Sequence, residues 1–177
     1  MNGFWRRLLA IVVSAGLTYA ICCIVTIRSP SAVAEESPAA SLHEESQIAR
    51  GRYLVRTTGC NDCHSPGYIA AAGKLDESKW LTGDASLGFQ GPWGTTYPAN
   101  LRQLMQRMSV DAWTQYARRP TRPPMPWFAL RDMSDEDLAA IYAFVRSLGP
   151  SEAKVPAYVP PGTRVTTAVV KFPDPAP

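Results

Sequence analysis

The chain has 177 residues, 46% apolar and 19% charged, with a formal net charge of +3. That length allows one domain of ordinary size plus extensions, and that balance excludes a wholly disordered polymer. The excess charge belongs to the N-terminus: without Arg6, Arg7 and Arg28 the 18 basic residues fall to 15, level with the 15 acidic ones. The remainder has no net basic footprint, so nucleic acid is not expected as a partner.

Arg6 and Arg7 precede an uncharged run of 20 residues, Leu8 to Ile27. Helical at about 1.5 Å per residue, such a run would reach roughly 30 Å and could span a bilayer. Ala32-Val33-Ala34, just before Glu35, is an A-x-A cleavage site. The length favours a retained anchor and the A-x-A favours removal, so residues 1–34 are expected to be a signal peptide or an N-terminal membrane anchor. In both cases Arg6 and Arg7 stay cytoplasmic and the chain after Ile27 is exported. The expected location is the periplasm, soluble or anchored to the inner membrane. Cys22 and Cys23 lie inside the apolar run as small apolar residues. Residues 35–43 are expected to be a linker.

A helix is predicted from near Glu44, where Ile48, Gly51 and Leu54/Val55 recur at helical spacing and Gly59 ends the stretch. Residues 65–100 show no periodicity and are punctuated by Gly and Pro; loops with short helical turns are expected there. After Asn100, Leu101, Leu104, Met105 and Met108 mark one face of a short helix. Two further helices share a start signature, Met108-Ser109 with Trp113 and Met133-Ser134 with Leu138: a serine N-cap inside a hydrophobic staple. Asp135, Glu136 and Asp137 suit the positive end of the second helix dipole. That helix runs through Leu138, Ile141, Val145 and Leu148 and stops at Gly149-Pro150. Residues 150–177 hold seven prolines in 28 positions. They are expected as an extension lying on the surface or reaching a partner, with one strand allowed between Arg164 and Phe172.

The chemistry sits in Cys60-Asn61-Asp62-Cys63-His64. Two thiols at this spacing can add to the two vinyl groups of one haem, while the adjacent histidine reaches the iron from the same side. A thioredoxin-like use of C-x-x-C would need a βαβ pattern, which is not visible. A zinc site would need a fourth ligand, and His43 is the other exported histidine. Haem c, one and covalently attached, is therefore the expected cofactor. For the second axial ligand, Met108 and Met133 are accounted for by the staples and Met105 by the apolar stripe. Met125 stands in Arg122-Pro123-Pro124-Met125-Pro126-Trp127, where flanking prolines fix an extended backbone that could hold a thioether at the iron. The candidate site is thus Cys60, Cys63, His64 and Met125, with His64 and Met125 on the metal.

These residues resemble class I c-type cytochromes, over about Glu44 to Gly149. The match rests on a helix before the haem motif, the motif itself, and a late Met125-Pro126 followed by a closing helix. Met125-Pro126-Trp127, Met133-Ser134-Asp135 and the run Ala140 to Leu148 look like bacterial mono-haem cytochromes that serve periplasmic dehydrogenases. The resemblance implies an all-α cytochrome c fold, helices and loops wrapped around the haem, for a domain at 44–149. It implies that Gly51 and Phe144 meet where the first and last helices cross. Gly91-Pro92-Trp93-Gly94 resembles the segment whose proline carbonyl accepts the proximal histidine's hydrogen bond, although it falls later than usual. Trp80, Trp93, Tyr97 and Trp113 are expected to line the haem, bond its propionates, or simply pack.

The expected function is single-electron transfer between redox partners in the periplasm, without catalysis of its own. A periplasmic dehydrogenase or a terminal oxidase is the expected class of partner, and the membrane is one as well if residues 1–34 are retained. Arg102, Arg107, Arg118, Arg119, Arg122 and Arg131 could form a basic docking rim. The alternatives are an open-site haem protein for ligand sensing or peroxidase-like chemistry, and a fixed electron-transfer subunit of a membrane dehydrogenase or oxidase complex.

Overall fold

The computed structural model describes residues 38–173. Residues 1–34 and the signal-or-anchor expectation lie outside them. Among the described residues no helix is long and apolar enough to cross a membrane.

Helix α1 spans Pro38–Thr57 and begins earlier than the apolar spacing indicates. Proline is tolerated in a first turn, where its missing N–H would have no partner, and Ala39, Ala40 and Leu42 are good helix formers. Leu42 is exposed, so this part of α1 has no buried stripe to announce it. The predicted face does turn inward: Gly51, Leu54 and Val55 are buried and Ile48 packs on the core. Gly59, at φ 78°, turns the chain into a single helical turn, α2, Cys60–His64.

After a 3-10 turn at Glu77–Lys79 come two strands, β1 Leu87–Gly91 and β2 Gly94–Thr96, joined by Pro92-Trp93. They pair antiparallel, with Phe89 opposite Thr96 and Gln90 opposite Thr95. Strand β3, Ala168–Lys171, lies parallel to β1, with Leu87 opposite Ala168 and Gln90 opposite Lys171. The sheet order is β2-β1-β3. This corrects two expectations: the fold is helical with a small sheet and not strictly all-α, and residues 65–100 hold a hairpin as well as turns. The strands are short and glycine-bearing, and β1 has its parallel partner far along the chain, so no local pattern marks them.

The other helices are α3 Leu101–Gln106, α4 Val110–Ala117, α5 Trp127–Arg131 and α6 Asp135–Ser147. Asn100, Ser109 and Ser134 cap α3, α4 and α6, each side chain accepting from a backbone N–H three residues on. Trp113 and Leu138 are buried, and Met108 and Met133 pack against the same core, as the staples require. Gly149, at φ 72°, ends α6.

Helices α1 and α6 cross in close contact. A Cβ on Gly51 would lie 1.9 Å from the Ala140 carbonyl oxygen and 2.7 Å from the Phe144 Cβ. Gly51 and Phe144 therefore meet at the crossing, and only glycine fits the first position. Arg50 pairs with Asp137 across the same contact at 3.0 Å. The core beneath is Val55, Leu81, Met105, Leu138, Phe144 and Val145, all fully buried. Trp80 meets Tyr68 and Phe144 edge to face, at centroid distances of 5.7 and 6.1 Å. The segment after Pro150 belongs to the same compact unit as the helices.

Candidate haem site

Helix α2 presents Cys60, Cys63 and His64 together on one turn. Both cysteines are free thiols; Cys60 is half-buried and Cys63 exposed. Burial pushes the Cys60 thiol up, against an opposing contact from the Thr58 hydroxyl at 3.4 Å. The backbone around the turn is pinned. Ser65 donates its hydroxyl to Asn61 Oδ1 at 2.7 Å and accepts from the Leu81 N–H at 2.7 Å. The Gly83 N–H donates to the His64 carbonyl at 2.9 Å.

His64 is buried, and its Nδ1 lies 2.8 Å from the Ala99 carbonyl oxygen. A carbonyl can only accept, so Nδ1 carries the proton and Nε2 keeps its lone pair. Burial lowers the His64 pKa, with the Ala99 bond opposing, so the ring stays neutral. A neutral imidazole with one nitrogen anchored and the other free is how a histidine is prepared for a metal. The resemblance placed the acceptor at Pro92. The structure corrects this: Pro92 is exposed in the β1–β2 turn, and Ala99, in the segment between β2 and α3, takes the role.

Met125 lies in the loop between α4 and α5 and is half-buried. The Thr96 hydroxyl donates to the Pro123 carbonyl at 2.9 Å, and the Met125 carbonyl accepts from Trp127 N–H at 2.9 Å. The other described methionines are spoken for: Met105 is fully buried, and Met108 and Met133 pack on the core. One short segment thus holds both sides of the candidate site. Thr96 grips the methionine loop and Ala99 grips His64, three residues apart and so at most about 11 Å apart along the chain.

Among the four aromatics, Trp80 donates to the Leu75 carbonyl at 3.0 Å and Trp113 to the Leu138 carbonyl at 2.9 Å. Tyr97 pairs with the Thr167 hydroxyl at 2.7 Å. Among the described residues two buried donors have no partner, Trp93 Nε1 and Asn61 Nδ2. Trp93 is therefore the one of the three tryptophans whose indole N–H has no partner among the described residues, and its ring packs on Phe172 at a centroid distance of 5.4 Å.

The donor set fits a haem. Two unpaired thiols flank a turn that ends in a neutral, anchored imidazole, and a pinned methionine loop is tied to the same segment. Among the described residues there is no cluster of three or more His, Cys, Asp or Glu able to hold a metal ion by themselves. The family model for cytochrome c matches residues 48–149, more than half of the chain. The chain belongs to the cytochrome c family. For this family the cofactor is haem c, linked covalently through a cysteine pair. The cytochrome is also similar to a gluconate 2-dehydrogenase cytochrome c subunit from Pantoea cypripedii, 28% identical over 123 residues. That match covers 62% of this chain and 28% of the relative, so the chain spans well under half of the relative's length. No solved structure matches it.

Of the six arginines expected to form a docking rim, three are buried or paired and three stay exposed without an ion pair among the described residues. Arg102 is buried and bonded to backbone carbonyls. Arg118 pairs with Asp135 at 2.6 Å and Arg131 with Asp132 at 2.7 Å. Arg122 stacks on the Tyr158 ring at 3.9 Å. Arg107 and Arg119 remain exposed without an ion pair among the described residues. Charge order along the chain does not reveal partners that folding brings in.

Proposed function

We propose that this chain is an exported mono-haem c-type cytochrome that passes single electrons between redox partners, with no catalysis of its own. Cys60 and Cys63 would form the thioether links, and His64 and Met125 would hold the iron. The observation that carries the reading is the His64 imidazole, neutral, buried and anchored through Nδ1 to Ala99 on the turn that bears both thiols. When bound, the haem supplies a one-electron iron couple whose potential a methionine ligand raises. The chain's own residues do the rest. Ala99 orients His64, and the Thr96–Pro123 bond holds the methionine loop. Export is supported by the charge and apolar pattern of residues 1–34, which gives the periplasm as the location.

The likeness to a dehydrogenase cytochrome subunit favours a dehydrogenase as electron donor, either as a free partner or with this chain as a fixed subunit of the complex. A terminal oxidase or another carrier would be the acceptor. The deciding measurement is the absorption spectrum of the oxidised protein. Iron–thioether ligation gives a weak far-red band, and Met125→Ala is expected to abolish it while the haem stays covalently attached. Survival of the band would overturn the assignment of Met125. An open, high-spin ferric spectrum in the wild type would point to ligand sensing or peroxidase-like chemistry instead. Co-purification with a dehydrogenase separates the fixed subunit from the free carrier.

A further inference from the structure

The proline-rich segment after α6 is held at many points. Asn100, next to the Ala99 that anchors His64, donates its amide to the carbonyls of Ser151 at 3.0 Å and Ala153 at 2.9 Å. Val159 then bridges to Thr95 in both directions, with N–H···O distances of 2.8 and 2.9 Å. Approach to the hairpin is so close that a Cβ on Gly94 would lie 2.3 Å from the Val159 carbonyl oxygen and 3.0 Å from Tyr158 Cε2. Further on, β3 joins the sheet, and Phe172 N–H donates to the Gln90 carbonyl at 2.8 Å.

One residue of this strap reaches beyond the hairpin. Tyr158 donates its hydroxyl to the Trp93 carbonyl at 2.8 Å, while its ring carries the Arg122 guanidinium at 3.9 Å from the centroid. Arg122 stands three residues before Met125. Among the described residues, the hydrogen bonds and ring contacts tying residues 120–126 to a distant element are this contact and the Thr96–Pro123 bond. Both lead back to the β1–β2 hairpin, one directly and one through the strap. The methionine loop is thus bracketed, and removing either tie leaves it hinged on the other.

We propose that the C-terminal strap, through Tyr158 and Arg122, positions the Met125 loop and so sets how firmly the thioether stays on the iron. Tyr158 and Arg122 are positioning residues, and their role rests on the reading of Met125 as axial ligand. A loop released at one point spends more time open, and a competing sixth ligand gains access in proportion to the open fraction. Loss of a cation–π contact together with a hydrogen bond corresponds to roughly a tenfold change in that fraction.

The test is a titration of the haem-loaded ferric protein with imidazole, read by loss of the far-red band. Tyr158→Ala is expected to tighten imidazole binding about tenfold, and Tyr158→Phe, which keeps the ring under Arg122, to recover part of the wild-type value. Arg122→Gln, which leaves the tail and the Tyr158–Trp93 bond whole, is expected to tighten imidazole binding in the same direction by a few-fold, and the double variant to add little to Tyr158→Ala. Should Tyr158→Ala fail to accumulate with haem, Arg122→Gln carries the test. Wild-type imidazole affinity in these variants, in a protein whose band is lost with Met125→Ala, overturns the strap alone. A band that survives Met125→Ala overturns the axial assignment and the strap with it.

Discussion

The guanidinium of Arg102 donates to carbonyl oxygens of Ser78, Leu148, Gly149 and Pro150 and has no carboxylate partner among the described residues. Three of these carbonyls belong to the C-cap residue of α6, Leu148, and the two residues that follow it, so the guanidinium fixes the chain where it leaves the helix. Burial lowers the Arg102 pKa, but arginine remains protonated and supplies a fork of donors that a lysine cannot. Arg102→Met is expected to cost about 2–4 kcal/mol, seen as a lower denaturant midpoint with an unchanged slope; Arg102→Lys should recover only part. Ser65→Ala leaves the buried Leu81 N–H unpaired and should cost about 1–3 kcal/mol by the same measurement. The sequence marks His64 and both cysteines through one local motif. It does not mark Arg102 or Ala99: one works through partners remote in the chain, the other through a backbone carbonyl that any residue could offer.

At the scale of elements, the α1–α6 crossing depends on the missing side chain of Gly51. Gly51→Ala would force a methyl against the Ala140 carbonyl, part of the helix backbone, so the two helices must separate. The expected loss is at least about 3 kcal/mol, measurable as a fall in melting temperature of the haem-loaded protein. By contrast, Ser109→Ala and Ser134→Ala remove one cap each and should cost about 1 kcal/mol apiece. Helices with a buried stripe, a cap or a glycine stop were legible, because those signals are local and periodic. The start of α1 was not, since its first residues have little burial to shape their pattern. The hairpin was hidden because Leu87–Gly91 and Gly94–Thr96 are short and glycine-bearing, and their outer partners, Val159 and Ala168–Lys171, are remote in the chain.

For the whole molecule, the burial of Arg102 and the pairing of Arg118 and Arg131 cut the six arginines of this region to three exposed ones without an ion pair among the described residues, Arg107, Arg119 and Arg122. Electrostatic steering of an acidic partner should therefore be modest, weaker than six free arginines would give. Between about 50 and 200 mM salt, the rate of reduction by the proposed dehydrogenase donor is expected to change by less than about threefold in a stopped-flow experiment. The cytochrome c identity was legible as a whole because the haem motif and the closing helix are each encoded in one stretch. The sheet that completes the molecule is encoded in two.

That division has a kinetic side. Strand β1 meets β3 across 81 residues, Leu87 to Ala168, and a closure of that span carries a large entropic barrier before any ladder bond rewards it. A chain emerging N-terminus first exposes its haem motif long before β3 exists to join β1. The amide of Phe172, bonded to Gln90 in the finished fold, should accordingly be among the last protected in a pulsed hydrogen-exchange refolding experiment. Until residues 158 and 159 have emerged, the methionine loop has only its tie to Thr96, and until β3 follows, the haem motif stands in a domain whose sheet is still open.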